Sequence, residues 1–181
     1  SDQPIYEYEI RELYASRDEN QIYGIIYIPQ NAGDKMPAII YSHGFGGSHQ
    51  YGTQYAEAMA ARGYVVYCFD FCGGSPTSRS DGSQYEMSIF TEEQDLENVI
   101  EMIQKLNYVD EKNIFLLGSS QGGAVSAMTA ADHKEEIAGA VLLYPAFVIV
   151  DNAMEQFDTI EDVPETYFHM FMEVGRTYFE G

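Results

Sequence analysis

The chain has 181 residues, of which 45% are hydrophobic, and a formal net charge of −20. This length suits one domain with a sizeable core, and the hydrophobic content argues against a disordered chain. With only nine Lys and Arg residues, the charge argues against binding of nucleic acid or of anionic membrane surfaces. No apolar run approaches the length of a membrane span, and the first residues do not form a secretory leader, so we expect a cytoplasmic protein.

The first half of the chain predicts a hairpin followed by two buried strands with a helix between them. Residues 5–15 and 22–29 are rich in Tyr and Ile and flank a polar segment, which is typical of an antiparallel hairpin. Buried strands are predicted at 37–42 and 64–70. The helix between them is predicted over about 51–62, with Gly63 as its C-terminal stop.

The second half alternates helices with apolar strands after a long polar loop. Thr91 and Gln94 form a capping-box pair that predicts the start of an amphipathic helix. The predicted elements of this half are, in chain order, a loop at 71–90, a helix to about 106, a strand at 114–118, a helix at 121–133 and a buried strand at 139–147. This order predicts the α/β class, with a mostly parallel sheet flanked by helices and an N-terminal antiparallel hairpin.

The most informative motif is the Gly-Ser-Ser-Gln-Gly run at residues 118–122, which lies between a predicted strand and a predicted helix. This is the G-x-S-x-G pattern of a nucleophile elbow, with Ser120 at its centre. The sharp turn is expected to strain the backbone of the serine and to crowd Gly118 and Gly122. We therefore predict that Ser120 is a catalytic nucleophile; a glycine-rich strand–helix turn without catalytic function is the alternative.

A second glycine-rich segment, residues 43–47 with the sequence His-Gly-Phe-Gly-Gly, follows the strand predicted at 37–42. Acyl transfer places negative charge on the carbonyl oxygen, and two backbone N–H groups commonly stabilise it. We predict that the N–H groups of Phe45 and Gln121 form this oxyanion hole. His43 is expected to brace the loop by a side-chain hydrogen bond rather than to carry a proton.

Together, residues 43–47, 69–75, 78–82 and 118–123 resemble the bacterial α/β-hydrolase esterases, and most closely the cinnamoyl (feruloyl) esterases. The resemblance covers the chain from the hairpin to about Phe147. It implies hydrolysis of small aryl or hydroxycinnamoyl esters through an acyl-serine intermediate, without metal or organic cofactor. It also implies that residues 1–147 are the N-terminal part of the hydrolase core and that 148–181 begin a lid, so that the chain is truncated there and lacks the last strands.

The acid and the histidine of a catalytic triad are not evident. They are expected after the serine, in the order serine, acid, histidine. His133 lies about 20 Å along the helix from the serine, and His49 has no obvious acid partner. His169 lies in the predicted lid, and the acids Asp151 and Asp158 have no histidine placed to use them. We expect the acid and the histidine to lie outside this chain.

Two functions of different classes therefore remain open. The first is a serine carboxylesterase of which this chain alone is nearly inactive, and the second is a non-catalytic α/β protein used for binding or assembly. The two glycine-rich motifs favour the first, and the missing base favours the second.

Two smaller features lead to further expectations. Cys68 and Cys72 lack the second pair that a metal site would need, and Cys68 is expected to be buried as a small hydrophobe. If the chain stops at residue 181, the apolar strand predicted at 139–147 forms a sheet edge, which residues 148–181 or a second copy would cover. We expect self-association rather than a stable monomer.

Overall fold

A computed structural model describes residues 4–145 of the chain. These residues form a six-stranded sheet with the order β1-β2-β4-β3-β5-β6. The first three of these strands pair antiparallel, and β4, β3, β5 and β6 pair parallel. The strands are β1 (Tyr8–Arg17), β2 (Asn20–Pro29), β3 (Met36–Ser42), β4 (Val65–Phe69), β5 (Val109–Ser119) and β6 (Gly139–Leu143). The α-helices are α1 (Thr53–Ala60), α2 (Ile89–Gln104) and α3 (Gln121–Asp132), and a 3-10 turn at His49–Gly52 precedes α1.

Both faces of the parallel part of the sheet are covered, because successive side chains of a strand point to opposite faces. In β3, Ala38 and Ile40 belong to the larger hydrophobic cluster, together with residues of α2 and α3. Ile39 and Tyr41 belong to the cluster on the other face, which includes Ala56 and other residues of α1. Continuous apolar strands between two helical layers are the arrangement that the sequence predicted.

The hairpin is confirmed, but its turn is shorter than predicted. β1 and β2 pair as far as Arg17 and Asn20, which leaves Asp18 and Glu19 as the connecting residues. Asp18 has a φ of 52°, and Asp tolerates this left-handed conformation better than most residues. Gly63 follows α1 with a φ of 95°, as expected of a helix-ending glycine.

The predicted start of α2 is wrong by one turn. The capping box joins Ser88 to Thr91: the Oγ of Ser88 accepts the N–H of Thr91, and the Oγ1 of Thr91 accepts the N–H of Ser88. Thr91 is thus the third residue of the helix and not its cap, so the loop ends before Ile89. Apart from these bounds, the amphipathic helix is as predicted, with Leu96, Val99 and Ile103 in the core.

The last described strand differs from its prediction in burial. β6 pairs only with β5, and its residues are half-buried or exposed, with Val141 55% exposed. An edge strand has one neighbour instead of two, which explains why an apolar sequence is only half covered among the described residues. Residues beyond Pro145, including the predicted lid at 148–181, lie outside the described part of the chain. None of the described helices is long and apolar enough to span a bilayer.

Candidate active site

Ser120 is the single residue between the end of β5 and the start of α3, and its backbone conformation is strained. Its φ is 53° and its ψ is −122°, outside the favoured regions for a non-glycine residue. Its N–H donates to the carbonyl of Leu143 in β6 (3.0 Å), and its own carbonyl accepts the N–H groups of Gly123 and Ala124. The strained strand-to-helix turn that the sequence predicted is therefore present, and both neighbouring elements hold it in place.

The two glycines of the motif are required by close backbone approaches. A Cβ at Gly118 would lie 2.3 Å from the carbonyl oxygen of Gly122. A Cβ at Gly122 would lie 2.2 Å and 2.3 Å from the carbonyl oxygens of Ser42 and His43. The absence of both side chains lets α3 start directly against the end of β3, and so brings the turn next to the loop at 43–47.

The N–H groups of Phe45 and Gln121 are available as donors. Among residues 4–145 neither makes a backbone or side-chain hydrogen bond, whereas the N–H of Gly46 donates to the carbonyl of Gly74 (3.1 Å). Gln121 is the first residue of α3, where N–H groups have no intrahelical acceptor and the helix dipole is positive. A Cβ at Gly44 would lie 3.1 Å from the Cβ of Ser120, so the loop passes close to the serine. Two N–H groups without an acceptor among these residues thus belong to Gln121, next to Ser120, and to Phe45, which lines the same cavity as Ser120.

His43 braces the loop, as the sequence predicted. Its Nε2 accepts the N–H of Phe71 (3.0 Å), so its Nδ1 carries the proton and donates to the carbonyl of Gly44 (2.6 Å). The ring is buried, and this burial lowers the pKa of His43 below its usual value. Both nitrogens are engaged in the neutral form, which leaves no nitrogen to accept a proton from the serine.

His49 has an acid partner, contrary to the prediction. Both its N–H and its Nδ1 contact the Oδ1 of Asp70, at 2.7 and 2.8 Å, and the Oδ2 of Asp70 accepts the N–H of Arg79 at 2.9 Å. Burial alone would raise the pKa of Asp70, but these hydrogen bonds lower it below its usual value. Since His49 does not line the cavity of Ser120, described below, the pair anchors the loop after β4 rather than supplying the serine with a base.

His133 is also remote from the serine, as predicted. It follows the last residue of α3, and its ring lies 3.3 Å from a carboxylate oxygen of Glu136 and 3.5 Å from one of Glu97. His43, His49 and His133 are the three histidines in the described part of the chain, and none is hydrogen-bonded to Ser120. The other candidates, His169, Asp151 and Asp158, lie outside the described residues.

A cavity of about 280 Å³ opens over Ser120. Half of the ten residues in its described wall are aromatic: Tyr41, Phe45, Tyr51, Tyr55 and Tyr144. The hydroxyl of Tyr41 is bound to Ser119 (2.6 Å), and its ring lies 6.0 Å from that of Tyr55. None of the cavity residues that the structure describes carries a charge, so this wall suits a flat, uncharged group.

A buried carboxyl group next to the site was not foreseen. Glu92 is 1% exposed, and its Oε1 accepts the Nε2 of Gln121 at 2.6 Å. Burial raises the pKa of Glu92 to about 8, and the nearby charge of Asp95 adds to this, while the hydrogen bond from Gln121 opposes it. An acid in the first turn of a helix is usually a surface residue that interacts with the helix dipole. The sequence signal for its burial is its position four residues before Leu96 and seven before Val99, in line with the apolar face of α2.

The cysteines give no evidence of a metal site. Cys68 and Cys72 are both free thiols and buried, as the sequence predicted for Cys68. Burial raises the pKa of Cys72 to about 12, so the thiol stays protonated near neutral pH. Within residues 4–145, no group of three or more metal-ligating side chains is close enough to hold an ion.

The chain is similar to a known protein family. The family described as serine aminopeptidase, S33 matches residues 33–170, which is most of the chain. No curated protein sequence matches significantly.

Solved structures show the same fold. Est1E from Butyrivibrio proteoclasticus, solved with ferulic acid bound, superposes with a TM-score of 0.69 at 26% identity, covering 79% of this chain and 56% of its own. DcsB, solved with its substrate analogue, gives a TM-score of 0.65 at 26% identity, covering 83% of this chain and 51% of its own. The α/β hydrolase GrgF from Penicillium sp. sh18 gives a TM-score of 0.66 at 23% identity, covering 77% of this chain and 46% of its own. The chain thus spans about half the length of the structures that it matches.

Proposed function

Because the chain belongs to the serine aminopeptidase S33 family of α/β-hydrolases, we propose that it forms part of a serine carboxylesterase acting on small aryl or hydroxycinnamoyl esters. One observation carries the proposal: Ser120 lies at a strained strand-to-helix turn on the wall of an aromatic cavity. The aryl preference is supported by Est1E, which has 26% identity and was solved with ferulic acid bound.

In this proposal the Oγ of Ser120 attacks the ester carbonyl carbon and forms a tetrahedral intermediate. The N–H groups of Phe45 and Gln121 bind its oxyanion, and each such donor is worth about 3–4 kcal/mol of transition-state stabilisation. The bond to the alcohol oxygen then breaks and leaves an acyl-serine. Water attacks the acyl group in the same way and releases the carboxylic acid.

The proton of Ser120 requires a base, which passes it to the departing alcohol. We propose that the histidine, and the acid that orients it, lie in sequence beyond the described residues. Both ring nitrogens of His43 are engaged, His49 is bound to Asp70, and His133 lies at the far end of α3. This part of the chain would supply the nucleophile and the oxyanion donors.

The family description raises peptide hydrolysis as an alternative, and the charge of the cavity argues against it. An aminopeptidase must hold the ammonium group of its substrate, which calls for a carboxylate near the nucleophile. The ten described residues of the cavity include neither Asp nor Glu. Ester hydrolysis needs no such group, which is why we prefer it.

The test compares hydrolysis of phenyl acetate, methyl ferulate, ethyl acetate and leucine p-nitroanilide by the longest form of the protein that the coding sequence allows. We expect the two aryl esters to be preferred and Ser120→Ala to remove the activity. Ser126→Ala is the matched control, because Ser126 is a buried serine of α3 whose Oγ has no partner among the described residues. Cleavage of the anilide without cleavage of the esters would contradict the proposal.

A non-catalytic binding role is the second candidate, since no described histidine is hydrogen-bonded to Ser120. In that case the wild-type protein would bind aryl carboxylates in the cavity without turnover, and Ser120→Ala would bind them equally well. Calorimetric titration with ferulate, run beside the activity assay, separates the two candidates.

A further inference from the structure

We propose that Glu92 is a positioning residue, which fixes the first turn of α3 through the side chain of Gln121 and so aims the Gln121 N–H at the oxyanion. This inference rests on the proposed function, because it assigns Glu92 a role in ester hydrolysis. Glu92 itself touches neither the substrate nor the reacting atoms.

The start of α3 lacks the usual cap. A serine before a helix normally accepts an N–H of the first turn with its own Oγ. Ser120 occupies this position but makes no such bond. A nucleophile whose Oγ capped the helix would not be free to attack, so the first turn is held by the backbone hydrogen bonds of the Ser120 carbonyl and by contacts of other side chains.

The contact between Gln121 and Glu92 supplies this constraint. Gln121 is the first residue of α3, 2% exposed, and its Nε2 donates to the Oε1 of Glu92 at 2.6 Å. The Oε1 of Gln121 has no partner among the described residues, and the Sδ of Met87, 3.9 Å from the Nε2, is a second and weaker acceptor. A hydrogen bond in such a buried place is strong, and its loss would leave the amide with only the weak sulfur acceptor of Met87. The side chain of Gln121 is therefore held mainly by Glu92.

Glu92 is itself fixed by the start of α2. The N–H of Glu92 donates to the carbonyl of Ser88 (3.0 Å), and the capping box of Ser88 and Thr91 stabilises the same turn. The ordered start of α2 thus fixes Glu92, and the hydrogen bond from Gln121 to Glu92 fixes the residue whose N–H group follows Ser120. A shift of α3 by a fraction of an ångström would lengthen the bond from this N–H to the oxyanion.

The test measures kcat and KM for phenyl acetate with the longest form of the protein. Glu92→Leu should lower kcat by about 10- to 100-fold, which is at most close to the decrease in kcat caused by removing a whole oxyanion donor. KM should change by less than about threefold. Glu92→Gln should keep kcat within about threefold, because its amide oxygen still accepts the Nε2 of Gln121. Glu93→Leu is the matched control: it is the next residue of α2, also buried, with no hydrogen bond to Gln121.

Glu92→Leu leaves the buried Gln121 amide with only the weak acceptor Sδ of Met87 among the described residues, and the variant could fail to fold. The double variant Glu92→Leu/Gln121→Leu removes both polar groups together, which is far less costly. If the two residues act through one contact, the kcat of the double variant should be no lower than that of Gln121→Leu alone. The inference would be overturned if the kcat losses of the two single variants multiplied in the double variant, or if Glu92→Leu kept the kcat of the wild type. Either result would leave the proposed function intact. A wild-type protein that hydrolyses no ester would overturn both.

Discussion

The replacement of Glu92 by Gln should remove a large part of the pH dependence of stability. Glu92 is buried, and its pKa is raised to about 8 from an ordinary value of 4.5. The folded protein therefore keeps this proton to higher pH than the unfolded chain does. Because the unfolded state binds fewer protons between these values, the free energy of unfolding falls as the pH rises from about 4.5 to about 8.

The size of the effect follows from the difference between the two pKa values. Each pKa unit corresponds to about 1.4 kcal/mol, so ionisation of Glu92 in the fold costs about 3–6 kcal/mol. Domains are typically stable by about 5–15 kcal/mol, so this cost is a large fraction of the whole. The amide introduced by Glu92→Gln cannot ionise, and its oxygen can still accept the Nε2 of Gln121.

Urea unfolding of the 181-residue chain at pH 5, 6.5 and 8 measures the effect. Glu92→Gln should match the wild type at pH 5 and exceed its stability by about 3 kcal/mol or more at pH 8. Removing one charge from a chain of net charge −20 also relieves general repulsion. Glu135→Gln is the control for this effect, because Glu135 is exposed and has no ion pair among the described residues. Parallel curves for wild type and Glu92→Gln from pH 5 to 8 would refute the reasoning.

Four further outcomes are expected. Gly122→Ala should lower the melting temperature by about 5–15 °C, because its Cβ would meet a β3 carbonyl oxygen at 2.2 Å; an unchanged melting curve would contradict the close approach. Asp70→Asn should destabilise near neutral pH and much less in acid, since the lowered pKa of Asp70 contributes stability that is present above about pH 4 and lost below it; equal losses at pH 7 and pH 2 would count against this. A chain ending at residue 181 should be almost inactive on phenyl acetate, and robust turnover that disappears on changing His169 would reverse this. The exposed β6, with Val141 on its surface, should make that chain self-associate, and a monomer in sedimentation at micromolar concentration with rapidly exchanging β6 amides would contradict it.

The features that depend on neighbouring residues could be predicted from the sequence. The turn at Ser120 requires glycines at fixed distances along the chain, and the bracing role of His43 follows from its place in a glycine-rich loop. The sequence does not predict the start of α2 correctly, because Ser88, the true cap, lies in a polar loop where many residues could cap a helix.

The features that depend on distant contacts could not be predicted. Asp70 and His49 are 21 positions apart, and their pairing follows from the packing of the loops after β3 and β4. The contact between Glu92 and Gln121 also could not be predicted, because an acid in the first turn of a helix is typical of the surface. Only the packing of α2 against α3 buries Glu92 against Gln121. The cytoplasmic location, the division at residue 147 and the lid remain predictions.

Covalent trapping of the acyl-enzyme tests the central claim most directly. The longest form of the protein is mixed with a slowly deacylated aryl ester or an aryl fluorophosphonate, quenched in acid, and its intact mass and peptide map are measured. We predict one adduct per chain, located at Ser120, and no adduct in Ser120→Ala, while Ser126→Ala is labelled like the wild type. Labelling at another residue, or ester hydrolysis that persists in Ser120→Ala, would contradict the assignment of Ser120 as the nucleophile.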